Sequence, residues 1–154
     1  LNLNVKMVLP LWLMTRMFYV LKYSRKRNSM NKGVFKDSVK VIQPSSFEDY
    51  RGEIWTTWKE DDWPYDIKFN HDKVSTSRKD VIRGLHGDTK SWKLATCLYG
   101  EMYYVVVDYR KDSPTYLKWD WTILSQHNKK MVLVPPCFVN GFCVLSEIFK
   151  ETDE

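Results

Sequence analysis

Residues 94–108 read LATCLYGEMYYVVVD, from Leu94 to Asp108. Two runs rich in aromatic, β-branched and other apolar residues flank Gly100. Such residues fit a pleated, half-buried surface, so strands are expected over Leu94–Leu98 and Met102–Asp108. Tyr99-Gly100-Glu101 between them is the signal of a compact hairpin. Neither run carries a helical period.

The texture is the same on both sides. Val39-Lys-Val-Ile42 alternates and stops at Pro44, and Glu53-Ile-Trp-Thr-Thr-Trp58 has strand composition. Acidic residues and Pro64 make residues 60–66 a loop. Ile67 to Ser75 alternates with period two, placing Ile67, Phe69 and His71 on one face. Ser113-Pro-Thr115 is a turn, Tyr116–Leu124 alternates again, and Gln126-His-Asn-Lys-Lys130 interrupts. Met131-Val-Leu-Val134 is a short buried strand stopped by Pro135-Pro136, and Phe142–Leu145 is another. Many short strands cut by turns predict an all-β fold: a sandwich, jelly roll or small barrel.

The 154 residues suffice for one domain with a proper core. The net charge of +5 suggests an anionic partner until its distribution is read. Residues 1–29 hold six cations (Lys6, Arg16, Lys22, Arg25, Lys26, Arg27) and no acid. Of the 24 basic residues, 18 then remain against 19 acidic ones, a net charge of −1. A neutral body argues against nucleic acid as a partner. The apolar run Met7–Leu21 is shorter than a membrane span of roughly 20 residues and contains Arg16. No membrane association is expected. Met30 reads as the natural start, with residues 1–29 an extension and residues 30–154 the folded domain. Cys97, Cys137 and Cys143 are odd in number and lack C-x-x-C spacing. They read as reduced thiols of a cytoplasmic protein. His71, His86 and His127 are scattered, so no metal site is expected.

One polar stretch stands apart. Val81–Lys93, VIRGLHGDTKSWK, sets a histidine between Leu85 and Gly87 in what reads as a solvated loop. Taken with other pieces, it resembles a family motif. Phe47-Glu-Asp-Tyr-Arg-Gly52, Arg83-Gly-Leu-His86, Lys93-Leu94, Gly100-Glu101, Val105-Val-Val-Asp-Tyr-Arg110, Ser113-Pro-Thr115 and Val134-Pro-Pro-Cys-Phe-Val-Asn-Gly-Phe142 occur in that order. Together they resemble the dTDP-4-dehydrorhamnose 3,5-epimerase family over about residues 34–150. The triplet His71-Asp-Lys73, with Arg-Gly-Leu-His-Gly-Asp and Lys93-Leu-Ala-Thr-Cys97, is similar to the GDP-4-keto-heptose epimerases of bacterial capsule synthesis.

The resemblance implies a cupin-type jelly roll that epimerises C3, C5 or both on a nucleotide-linked 4-keto sugar, with no metal and no nicotinamide. Such chemistry needs a base beside a ketone, a cation at the enolate oxygen, and cations for the diphosphate. An imidazole titrates near neutrality, so His86 suits the base, the role the resemblance gives it. Lys93 by resemblance stabilises the enolate. Arg51 and Arg83 are planar forks suited to phosphate, or else to structural ion pairs. His71 and Lys73 stand where the family usually has Gln and Asn, facing the sugar. Asn140 stands where most members have His, and Cys137 where they have Gly. Asp108 is a candidate partner for Lys93, or a plain strand-end acid. The resemblance also implies a homodimer. It places the family's acid, a tyrosine, and the aspartate that orients the histidine beyond the segment echoed by Phe149-Lys150. The sequence stops at Glu154, so a C-terminally truncated domain is expected. The competing expectation is a non-catalytic jelly roll that only binds sugar nucleotides.

Overall fold

The computed structural model describes residue 35 and residues 37–59 and 67–147. The boundary expected at residue 29, the loop over 60–66 and the Phe149-Lys150 echo lie outside these residues. Nine strands follow in order: β1 (Lys40–Ile42), β2 (Ser46–Asp49), β3 (Gly52–Trp55), β4 (Ile82–Gly87), β5 (Lys93–Thr96), β6 (Glu101–Asp108), β7 (Trp119–Ser125), β8 (Met131–Val134) and β9 (Phe138–Val144). The described residues contain no helix, hence none long and apolar enough to cross a membrane. Every pairing is antiparallel. One sheet runs β1-β8-β5, another β4-β9-β6-β7, and β2-β3 form a separate hairpin.

The two larger sheets face one another across the main core. Tyr104 and Val106 on β6 and Leu124 on β7 meet Val132 and Val134 on β8, with Phe138 and Phe35 between. Phe35 and Phe138 pack edge to face, 5.3 Å between centroids. Strand alternation sends the intervening residues Tyr103, Val105 and Val107 to the opposite face, where Leu85 and Val139 join them. Tyr103 stacks on Trp121 at 4.7 Å there. β6 is therefore apolar on both faces and reads as a near-continuous hydrophobic run. Each fully buried valine contributes about 1.5–3 kcal/mol, which makes β6, β8 and β9 the thermodynamic centre of the fold.

Three local expectations are corrected. Leu94–Leu98 and Met102–Asp108 are not a hairpin: β5 pairs with β8, whereas β6 pairs with β7 and β9. The chain crosses from one sheet to the other at Gly100, whose φ of +76° suits glycine. The Gln126 side chain accepts from Gly100 N at 2.6 Å, tying this corner to the β7–β8 turn. The second correction concerns residues 67–75, which form no strand. Asp72 caps the backbone N–H of Lys73 at 2.7 Å and Asn70 Oδ1 lies 3.2 Å from His71 Nδ1, local bonds that compete with a ladder. The third is the stretch around His86: it is a strand, β4, and not a loop.

Candidate active site

The Arg-Gly-Leu-His motif acquires its geometry from β9. Arg83 pairs with Phe142, but the next partners are His86 and Asn140, so β4 carries one extra residue between them. This bulge decides which side chain stands opposite Asn140. In a regular ladder it would be Leu85; here Leu85 joins the apolar cluster with Val105 and Val139, and His86 takes the place beside Asn140. Gly84 makes the bulge possible. Its φ is +108°, and a β-carbon there would meet Asn140 O and Gly141 Cα at 2.7 Å. His86 is exposed on one side, and Asn140 is buried.

Lys93, the first residue of β5, reaches across from the opposite sheet. Its Nζ donates to Asn140 Oδ1 at 3.2 Å and lies 4.0 Å from Asp88 Oδ2. Asp88 is fixed by its own loop, since Oδ1 accepts from the N–H groups of Lys90 (2.8 Å) and Ser91 (2.6 Å). Burial would raise the Asp88 carboxyl, but these N–H bonds and the Lys93 charge hold it below its ordinary value. Burial lowers Lys93 and Asp88 opposes that shift. Burial also lowers His86 below its ordinary 6.5, and the charges of Lys93 and Lys73 push it the same way. The imidazole is thus neutral near pH 7 and beside an ammonium, a pairing fit for proton abstraction next to a carbonyl.

His71 and Lys73 stand apart from this group by hydrogen bonding. They line a cavity of about 690 Å³ with Leu94 and Phe142, the neighbours of Lys93 and Asn140 along their strands, and with Trp58 and Phe69. The two rings of that last pair meet edge to face at 4.7 Å. Arg83 does not point a free fork at this space: Nε donates to Ser77 Oγ at 2.7 Å and Nη2 to Thr76 O at 3.4 Å, tying β4 to the cavity wall. Arg51 sits on the β2–β3 hairpin in a bidentate pair with Asp49, the closest contact 2.6 Å. Among the described residues no group of three or more His, Cys, Asp or Glu side chains could hold a metal.

Of the two readings of Asp108, partner of Lys93 or strand-end acid, the first is overturned. Asp108 is wholly buried and bonds Arg110, Ser113 and Thr115. Lys93 has Asp88 instead. Asp88 stands two residues after His86 in the very motif that carries the resemblance. A carboxylate that close to the base, in a loop returning to Lys93, was the signal.

The family profile described as dTDP-4-dehydrorhamnose 3,5-epimerase matches residues 36–152. The chain is 36% identical over 116 residues to a dTDP-4-dehydrorhamnose 3,5-epimerase of Salmonella typhimurium, covering 71% of this chain and 63% of that protein. It thus spans less than two thirds of that relative's length. Its fold is similar to the crystal structure of dTDP-6-deoxy-D-glucose-3,5-epimerase from Legionella pneumophila in complex with dTDP-4-keto-L-rhamnose. The TM-score is 0.68 and the identity 37%, over 72% of this chain and 62% of that one. It is also similar to dTDP-4-dehydrorhamnose 3,5-epimerase from Bacillus anthracis with TDP and PPi bound. Here the TM-score is 0.68 and the identity 32%, over 80% and 79% of the two chains.

Proposed function

Because this chain belongs to the dTDP-4-dehydrorhamnose 3,5-epimerase family and folds as a cupin-type jelly roll, we propose that it epimerises a nucleotide-linked 4-keto sugar. The observation that carries this is one constellation: His86 opposite Asn140 across a bulge, with the Lys93 ammonium 3.2 Å from the Asn140 amide oxygen. Neutral His86 takes the proton from the carbon beside the C4 ketone. The C–H electron pair moves into the new C=C bond, and the carbonyl pair moves onto oxygen. Lys93 donates to that enolate oxygen as charge develops, where a preorganised donor in a partly dry site acts most strongly. A solvent proton delivered to the opposite face takes the C=C electron pair into a new C–H bond while the enolate oxygen returns to the carbonyl, and His86 releases its proton to solvent, so the carbon is inverted and atoms and charge balance without any external oxidant.

The cavity lined by His71 and Lys73 has none of His86, Lys93 and Asn140 in its wall, and we assign it the part of the substrate away from the reacting carbon. Its apolar depth suits a base and sugar ring, and His71 and Lys73 bring polar and cationic contacts to its wall. Arg83 braces that wall through Ser77 and Thr76, and Arg51 offers an exposed guanidinium from the hairpin for a diphosphate. A thymidine diphosphate sugar is the favoured substrate, since the similar proteins are named for it. The His71-Asp-Lys73 triplet and Asn140 favour a GDP-4-keto-heptose as the second reading. The resemblance further supports a homodimer in the cytoplasm, with residues 30–154 as the catalytic domain.

Solvent exchange tests this reading. The chain is incubated in deuterated water with dTDP- and GDP-linked 4-keto sugars, and deuterium at C3 and C5 is read by mass spectrometry. Label that disappears in His86→Asn is the expected result, and the sugar labelled names the nucleotide. A folded protein that binds these nucleotides and exchanges nothing would instead be a sugar-nucleotide-binding jelly roll.

A further inference from the structure

We propose that Asp88 is a positioning residue for the reaction: its carboxylate, pinned by its own loop, holds the Lys93 ammonium against Asn140 and keeps it cationic where the enolate oxygen forms. This inference rests on the epimerase reading above and assigns a part in it that the sequence reading had offered to Asp108.

Two separate restraints hold Asp88. Its Oδ1 is engaged by the backbone of Lys90 and Ser91, which leaves Oδ2 to face Lys93 at 4.0 Å. Its backbone carbonyl accepts from Cys137 N at 2.9 Å. Cys137 has φ +66° and stands three residues before Asn140, so Asp88 is bonded to the turn that launches β9. Asp88 thereby ties the loop that faces Lys93 to the start of the strand that carries Asn140. Freed from Asp88, a half-buried ammonium at this position retains one neutral acceptor and loses the negative charge that offsets its desolvation.

The charged and titratable groups around Lys93 come from three sides. His86 stands on β4, Asp88 in the β4–β5 loop, and Lys73 on the cavity wall, its charge felt at His86. The neutral Asn140 faces it from β9, and Val134 pairs with it from β8. Asp88 is the anion among them. Among the described residues, removing it leaves only neutral or cationic neighbours, and the ammonium then gives up its proton at lower pH.

Asp88→Asn is the informative variant, because an amide oxygen can still accept from Lys90 and Ser91 and keep the loop. Two quantities are followed on the full chain: the pH dependence of solvent exchange, and the titration of Lys93 by NMR of 13C-labelled lysine, assigned with Lys93→Met. The expected result is turnover reduced on the order of ten-fold with KM unchanged. The alkaline limb of the exchange profile and the Lys93 midpoint move together to lower pH. Wild-type exchange matched by Asp88→Asn at every pH, or a Lys93 midpoint that does not move, overturns the proposal alone. Wild-type protein that exchanges no sugar overturns the epimerase reading and the role of Asp88 with it.

Discussion

Gly84 and Gly141 pass each other so closely that a β-carbon built on Gly141 would lie 2.7 Å from Arg83 O and 3.3 Å from Gly84 Cα. Both obstacles are backbone, so neither yields by a rotamer change. Gly141→Ala is expected to push β4 and β9 apart at the bulge and cost about 1–3 kcal/mol of stability, in the range of overpacked cores. The same displacement separates His86 from Asn140, so exchange activity falls further than the stability loss explains. Urea midpoints and exchange rates on one preparation check this. Activity at the wild-type level in a destabilised Gly141→Ala would detach the glycine pair from the site.

The second prediction concerns the acid limb. Burial first, and the Lys93 and Lys73 charges after it, hold His86 below its ordinary 6.5. The base works while neutral, so exchange should persist to pH values more acidic than a free imidazole allows. Lys73→Gln removes one cation, relieves the smallest part of the shift and moves the acid limb of kcat/KM to higher pH. A limb that stays in place in Lys73→Gln would show that the Lys73 charge does not reach the imidazole in solution.

Much of this was legible in the chain because alternation and turn residues are local signals. β6 and β8 match their expected bounds within a residue and β7 within three, since their side chains alternate or run apolar throughout. Pairing was harder to read. A glycine turn between two strands signals a hairpin, yet Gly100 instead turns a corner between sheets, because Tyr104 and Val106 must face Val132 and Val134 across the core. His86 and Lys93 stood out by motif. Their joint neighbour Asn140 was also marked, but the bulge that brings His86 opposite it is a register property with no one-residue signature. Asp88 was missed because its partner lies across a loop, and the carboxylate nearest the β6 strand end, Asp108, looked equally suited.

Lys93 and Asn140 lead to the third prediction. Lys93→Met keeps the aliphatic stem and deletes the donor, so the fold should hold while exchange falls on the order of 10²–10³-fold, the cost of losing one preorganised oxyanion donor. Asn140→Ala removes the amide that orients the ammonium and should fall between wild type and Lys93→Met. Equal losses in the two variants would mean that Asn140 contacts the substrate itself; wild-type turnover in Lys93→Met would remove Lys93 from the mechanism.

Asp108 supplies the last prediction, one of stability. Its side chain is fully buried and accepts from Arg110 (2.8 Å from Nη2, 3.0 Å from Nε), Ser113 Oγ (2.6 Å) and Thr115 Oγ1 (2.6 Å). Arg110 in turn lies over the Phe138 ring at 4.6 Å. The carboxylate therefore knots the β6–β7 connection to the start of β9. Burial alone would raise its pKa, but the bonds from Arg110, Ser113 and Thr115 outweigh burial and hold it well below the ordinary 3.8. A folded-state pKa depressed in this way contributes stability that is complete above the unfolded value and is lost as pH falls from there toward the folded one. Asp108→Asn turns an acceptor into a donor facing Arg110 and should cost about 3 kcal/mol near neutrality. Below pH 3.8 the wild type loses its advantage, so the urea midpoints of the two proteins should converge there. Midpoints that keep a constant gap across the acid range would show that the knot contributes through shape and not through charge.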